Sequence, residues 1–562
     1  MKKAFYYLFL LFSSLVFGCA EIDAPSPSAR GENVTLDFTN YIAIGNSLTA
    51  GFSDGALYLE AQETSFPAIL AERFQTVGLE GFEQPLMPEG NGANGLTEGN
   101  GLAGHISLNG FDESTGAPIL GVLPPSANPY EKVSNTETLN NYGVPGLRVS
   151  EINIPGLGIN TELGNPFFFR MISSDDAMST YQQVVVEKDP TFFTCWLGSN
   201  DILGYASSGG VDGIEGNAEG RTGLTPISDF ENAYNAFIDA LIADEETQGV
   251  LLNLPSVMAT PLFTTVPWNG LPLDAATANV ANLALASILD PQIETQAIVT
   301  TVIPSVVDQL VQGGQLSEDD SAAYIADYTA AYIENPEDPQ PEGGWDTNIV
   351  DATTAGVNQV IASDEFQTTL AQQIAGLKAL GFYPDFVEGA NPLIAIDETS
   401  PTGFRNLVEG ELVLLTASSK LSLLAQVIAE GIASGSLSLE DILPALLTDE
   451  NFLNLEEVEN VNTFTEAYNQ VIENKAMDEN LVLLDINSIL NDIVENPVSQ
   501  DGLTLSTDFI SGGLFSLDGT HLTPRGYSFL ANEVIRTLNL GFGVRIPSVS
   551  ISQYRGVIFP NN

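Results

Sequence analysis

Apolar residues along this chain follow two rhythms. Short unbroken runs, one starting at Tyr41 and others at 191–197, 249–255 and 481–486, have the length and composition of buried strands. Segments at 66–74, 179–187, 229–243, 463–474 and 527–538 instead repeat apolar positions at helical spacing, with Pro67 in the first turn of the first of them. Strand runs alternating with helical ones imply an α/β fold with a mainly parallel sheet and helices on both faces. The run from Tyr41 breaks through Gly45 and Asn46 into a small-residue turn, which leaves Ser47 where a strand has just ended.

Two stretches depart from this alternation. Over 80–137 the composition turns to Gly, Pro, Asn and Glu with no sustained period, which reads as a long surface excursion carrying His105. Over 267–454, runs at 275–289, 303–311, 322–333, 357–380 and 421–432 carry apolar residues at helical spacing with few charges, a mostly helical insertion. Inside it, 391–396 and 411–415 are expected to pair as strands. The apolar helical faces have two uses open to them, covering a site as a lid or packing the insertion onto its host. The expected organisation is an α/β domain in two parts, 37–266 and 455–545, around the insertion, followed by a short tail over 546–562.

The N terminus has a pattern of its own. Lys2 and Lys3 precede an apolar run over 4–17, too short to span a bilayer comfortably, which ends at the small residue Gly18. Residues 1–18 therefore read as an export signal. Val16-Phe17-Gly18-Cys19 resembles the lipobox of bacterial lipoproteins, which implies an acylated Cys19 and a tether over 19–36. It implies a place in the cell envelope, on the outer membrane or cell surface. An ordinary signal peptide with an unrelated cysteine is the alternative.

At 562 residues the chain exceeds one ordinary domain. Its 17 Lys and Arg against 73 Asp and Glu give a formal charge of −56, which repels phosphate backbones and argues against nucleic acid as a partner. Of the two cysteines, acylation of Cys19 leaves Cys195 without an intrachain partner, and its strand-like setting marks it as a core residue.

Candidate chemistry starts from Ser47. A serine hydroxyl becomes a nucleophile only beside a base, normally an imidazole oriented by a carboxylate, and the chain has two histidines. His105 has no carboxylate at a useful spacing and reads as an exposed loop residue. His521 has Asp518 three positions earlier across Gly519 and Thr520, which lets the carboxylate fold back onto one ring nitrogen. Donors for a developing oxyanion are available as backbone amides of Ser47 and Gly146 and the side-chain amide of Asn200. Pro145 and Gly146 suit the centre of a type II turn, and Gly143 is the alternative donor to Gly146.

Gly45-Asn46-Ser47-Leu48 with Gly51, then Asn141 to Gly146, then Gly198-Ser199-Asn200-Asp201, then Asp518-x-x-His521 resembles the four ordered motif blocks of the GDSL-type, or SGNH, hydrolase superfamily. Leu252-Asn253-Leu254-Pro255 is similar to the stretch its lipase branch carries after the third block. The resemblance covers about 37–261 and 463–540. It implies a flavodoxin-like three-layer α/β/α fold and ester hydrolysis with no metal and no organic cofactor. Ser47 would be nucleophile, His521 base then acid, Asp518 its orienting partner, and Ser47, Gly146 and Asn200 the oxyanion donors. Asn46 departs from the family name, which has Asp there. The substrate expected is a small-molecule, lipid or glycan ester. A carbohydrate acetyl esterase of the same fold and a surface lipoprotein that binds glycan or protein without catalysis are the alternatives.

Overall fold

A computed structural model of the chain describes residues 36–95, 102–113, 116–126, 131–159, 164–216, 221–244, 246–434 and 439–560. The export signal, Cys19 and nearly all of the tether lie outside these residues. The chain divides into two compact units. The first comprises Met1–Leu203, Leu224–Pro261 and Asn462–Asn562, and the second Gly204–Gly223 and Leu262–Val461.

The first unit is built on a five-stranded sheet. Its strands are β1 (Tyr41–Gly45), β2 (Asn141–Gly143), β3 (Phe192–Trp196), β4 (Gln248–Leu252) and β5 (Val482–Leu484). They lie in the order β2-β1-β3-β4-β5, and every pairing is parallel. Such a sheet is covered on both faces, and β1 and β3 are buried along their whole length, as their unbroken apolar runs require. On one face, Tyr41, Ala43, Phe192, Val250 and Leu252 share a core with the helices Phe66–Phe74, Ile486–Glu495 and Pro524–Phe542. On the other, Cys195 meets Tyr181 and Tyr234, from the helices Tyr181–Val186 and Ile227–Leu241. Burial pushes the Cys195 thiol up to about 12, as expected for a core cysteine.

The strand order turns back on itself at β1. The chain goes from β1 outward to β2, then returns across β1 to β3, so the crevice beyond the carboxyl end of β1 is the topological switch point where sites form in such sheets. Ser47 is placed there.

The described parts of the excursion over 80–137 are more ordered than its composition implied. Ile106–Phe111 and Pro118–Val122 form an antiparallel hairpin with a register shift between Leu108 and Gly110, and Met87, Ala93 and Leu108 are buried. Arg170 fastens the stretch by donating to the carbonyls of Pro85 and Leu86. His105, expected as an exposed loop residue, is half-buried, stacked on Tyr58 at 4.5 Å between centroids, with Nδ1 3.1 Å from the Asn91 carbonyl. Isolated apolar anchors and backbone pairing order this segment, and neither produces a period.

The second unit is mostly helical, with helices Ala275–Ala297, Ile303–Gln312, Glu318–Glu334, Thr347–Ile361, Asp364–Ala379 and Ser418–Ser434. The run read as one helix over 357–380 is two, because Ser363 caps a new start by accepting from the Phe366 amide at 3.2 Å. The expected pairing of 391–396 with 411–415 does not occur. Ile394–Ile396 pairs instead with Phe404–Asn406, through a tight turn in which the Asp397 amide donates to Gly403, and Leu412–Val413 pairs with Phe452–Leu453. Local closure across seven residues outcompeted the more distant partner.

Candidate active site

Three of the candidate groups stand where a sheet strand ends. After β1, Asn46 accepts the Leu48 amide on its side-chain oxygen at 3.1 Å and caps the short helix Ser47–Ala50, which places Ser47 at its first position. After β2, the amide of Leu147 donates to Val144 at 3.1 Å, and Gly146 in the centre of that turn has φ 77°. This is the type II turn expected from Pro145-Gly146. After β3, Asn200 opens the helix Asn200–Ser207.

The histidine arrives from the far end of the chain. His521 Nε2 lies 2.8 Å from Ser47 Oγ, and its Nδ1 lies 2.9 Å from Asp518 Oδ2. Asp518 accepts further bonds, from the amides of Thr520 at 2.9 Å and His521 at 2.8 Å on Oδ1, and from Gly55 at 2.7 Å on Oδ2. Burial alone would raise the Asp518 carboxyl, but the His521 ring and these amides outweigh it and hold the group well below the usual carboxylate range. An ionised carboxylate only accepts, so Nδ1 carries the ring proton and Nε2 is left to accept from the serine hydroxyl. The His521 ring also packs against Phe52 at 4.7 Å between centroids.

Of the four donors considered for an oxyanion, Ser47 and Asn200 keep that capacity and Gly143 loses it. Ser47, at the first helical position, has one of the amides with no partner inside the helix. The Asn200 side-chain nitrogen spends one hydrogen on the Leu147 carbonyl at 3.0 Å and carries a second. The Gly143 amide donates to Asn141 Oδ1 at 2.8 Å, and a Cβ at Gly143 would come 2.2 Å from the Ala50 nitrogen. Gly143 is therefore a packing glycine that lets β2 lie against the serine-bearing helix, and Gly146 remains the candidate in that loop.

Four polar residues to which the sequence reading gave no role hold these loops. Asn141 donates to the Thr49 carbonyl at 3.0 Å. Asp201, fully buried, accepts from the Val149 amide at 2.8 Å and the Thr225 hydroxyl at 2.6 Å, which ties the loop after β3 to the loop after β2. Asn253 donates to Asp485 Oδ1 at 2.8 Å and accepts from the Asn487 amide at 3.0 Å, so the loops after β4 and β5 are joined. Asp54 accepts from the Leu517 amide at 3.0 Å and the Tyr58 hydroxyl at 2.8 Å. Burial raises the Asp54 carboxyl, against those two hydrogen bonds. Asn141, Asp201 and Asn253 fall within the quoted motif stretches and Asp54 does not, and for none of the four does the sequence mark the partner.

Among the described residues no group of three or more His, Cys, Asp or Glu side chains is placed to hold a metal ion, and no helix is long and apolar enough to cross a membrane. No family model, no curated protein and no solved structure matches this chain.

Proposed function

We propose that this chain is a serine ester hydrolase of the GDSL-type, or SGNH, superfamily, with the flavodoxin-like α/β/α arrangement of that group. The observation that carries the reading is the unbroken hydrogen-bonded series Ser47 Oγ, His521 Nε2, His521 Nδ1, Asp518 Oδ2, at 2.8 and 2.9 Å, sited at the switch point of the sheet. Ser47 Oγ attacks the ester carbonyl while His521 takes its proton. The amides of Ser47, Gly146 and Asn200 receive the oxyanion, and His521 returns the proton to the departing alcohol. Water then repeats the sequence on the acyl enzyme, releasing the acid and restoring Ser47. Asp518 keeps the ring in the tautomer that accepts from serine and offsets its positive charge. Every group the reaction needs is a side chain or backbone amide of this chain. Cys19 is proposed as the acylated residue that anchors the mature protein to the bacterial envelope.

An active-site-directed fluorophosphonate tests the reading. Wild-type protein is expected to gain one label on Ser47, seen by intact mass and peptide mapping, with loss of esterase activity, and Ser47→Ala to gain none. An unlabelled wild-type protein that hydrolyses no ester would sink it.

A further inference from the structure

Residues 546–560 follow the last helix of the first unit and are fastened along it. Asn539 donates to the Ile546 carbonyl and accepts the Ile546 amide, both at 2.8 Å, and Asn532 brackets Val549 in the same way at 2.9 Å. The stretch then reaches the start of that helix, where the Arg525 amide donates to the Arg555 carbonyl at 2.9 Å. Arg555 is thereby held beside the turn that follows the serine-bearing helix. Its guanidinium donates to both carboxylate oxygens of Glu60, at 2.6 and 3.2 Å, and to the Tyr58 hydroxyl at 3.0 Å.

From Tyr58 a bonded path leads inward. Its hydroxyl donates to Asp54 Oδ2 at 2.8 Å, and the buried Asp54 accepts the Leu517 amide on Oδ1 at 3.0 Å. The Asp54 amide donates to Ser516 Oγ at 2.8 Å, and that hydroxyl donates to Asp518 Oδ1 at 3.2 Å. A buried carboxylate stays ionised only where donors and a cation offset its lost hydration. Around Asp54, the Asp518 charge opposes ionisation, while the Tyr58 hydroxyl and the Arg555 charge favour it; the Tyr527 hydroxyl nearby is committed to the Phe52 carbonyl.

We propose that Arg555 and Asp54 are positioning residues of the catalytic centre, the tail arginine keeping Asp54 as the carboxylate that grips the 516–518 loop and so aligns Asp518 on His521. The inference rests on the assignment of Ser47, His521 and Asp518 made above. A neutral Asp54 accepts the Leu517 amide more weakly, and the loop that carries Asp518 loses part of its hold.

The test uses the full-length protein and a p-nitrophenyl ester. Arg555→Gln, and Tyr58→Phe, which keeps the aromatic ring and loses the hydroxyl, are each expected to lower kcat about tenfold with KM unchanged. The deficit is expected to shrink as pH rises, because Asp54 deprived of its cation or its donor holds a proton to higher pH. The double variant is expected to lose no more than either single one, since both break the same path. Arg545→Gln, the same charge change at an exposed arginine between the last helix and this stretch, should leave kcat unchanged. Should Arg555→Gln fail to fold, the pH profile of Tyr58→Phe decides. Wild-type kcat in the variants, or a deficit that lies in KM or is equal at every pH, overturns the proposal while leaving the serine hydrolase reading intact. Wild-type protein that shows neither hydrolysis nor fluorophosphonate labelling removes the underlying assignment, and this proposal with it.

Discussion

The backbone amide of Gly55 donates to Asp518 Oδ2 at 2.7 Å, the same oxygen that faces His521 Nδ1 at 2.9 Å. Next to it, the Asp54 amide donates to Ser516 Oγ at 2.8 Å, and Asp54 Oδ1 accepts the Leu517 amide at 3.0 Å. The turn after the serine-bearing helix and the loop before the histidine therefore hold each other, although they come from opposite ends of the sequence. The carboxylate is fixed by backbone donors, which leaves its alignment on the imidazole little freedom.

The two histidines should separate cleanly. His521→Ala is expected to lower kcat on a p-nitrophenyl ester by about 10³-fold or more, because the serine loses its base. His105→Ala should leave kcat within about threefold, since its ring stacks on Tyr58 and makes no contact with Ser47 in the bonded series. Steady-state kinetics of both variants check this, and the reverse pattern would contradict the assignment.

Asp518→Asn presents an amide to Nδ1 and favours the tautomer whose Nε2 carries hydrogen and cannot accept from Ser47. A fall in kcat of about 10³- to 10⁴-fold with little change in KM is expected. Stability changes too. The folded-state pKa of Asp518 is lowered, so the stabilisation from its ionised form is fully present above the unfolded value of about 3.9 and is lost as pH falls through the folded value. Acid unfolding followed by circular dichroism should show that loss in wild type, while Asp518→Asn lacks the contribution at every pH.

Asn200→Ala removes a side-chain donor and should lower kcat by about 10²- to 10³-fold while leaving fluorophosphonate-reactive serine in place. Gly143→Ala acts differently. Its methyl would fall 2.2 Å from the Ala50 nitrogen, so the serine-bearing helix must shift, and both melting temperature and labelling rate should drop.

The second unit carries a pH-dependent group of its own. Burial pushes the Glu457 carboxyl up to about 7, with Asp449 and Glu411 adding to the rise and the Asn454 amide and Arg405 opposing it. Between about pH 4.3 and 7 the folded state then holds a proton that the unfolded state has released, so stability falls as pH rises through that window. Glu457→Gln should flatten this part of the profile, as measured by denaturant unfolding at a series of pH values.

Much of the α/β organisation was legible because burial on both faces leaves an unbroken apolar run, and 191–197 and 249–255 have no other economical explanation. The motif spacing likewise singled out Ser47, Asp518 and His521 before their contacts were visible. Where the reading failed, the cause was competition between partners that composition does not rank. Residues 391–396 and 411–415 both have strand character, and the tight turn at Asp397–Gly403 decided which neighbour the first would take. His105 has no period around it, and only the stacking on Tyr58 revealed that it is half-buried.

The sequence by itself determined the element types, the placing of small turn residues after strands, and the scarcity of histidine that left one plausible base. Those properties are local, set by periodicity, backbone preference and count. Only the tertiary structure decided that Gly143 spends its amide on Asn141, that Gly55 reaches Asp518, and that Leu48, Thr520 and Leu522 wall one apolar cavity. Those facts depend on which strand ends share an edge and how closely backbones approach, and residues hundreds of positions apart acquire that relationship only when the parallel sheet closes.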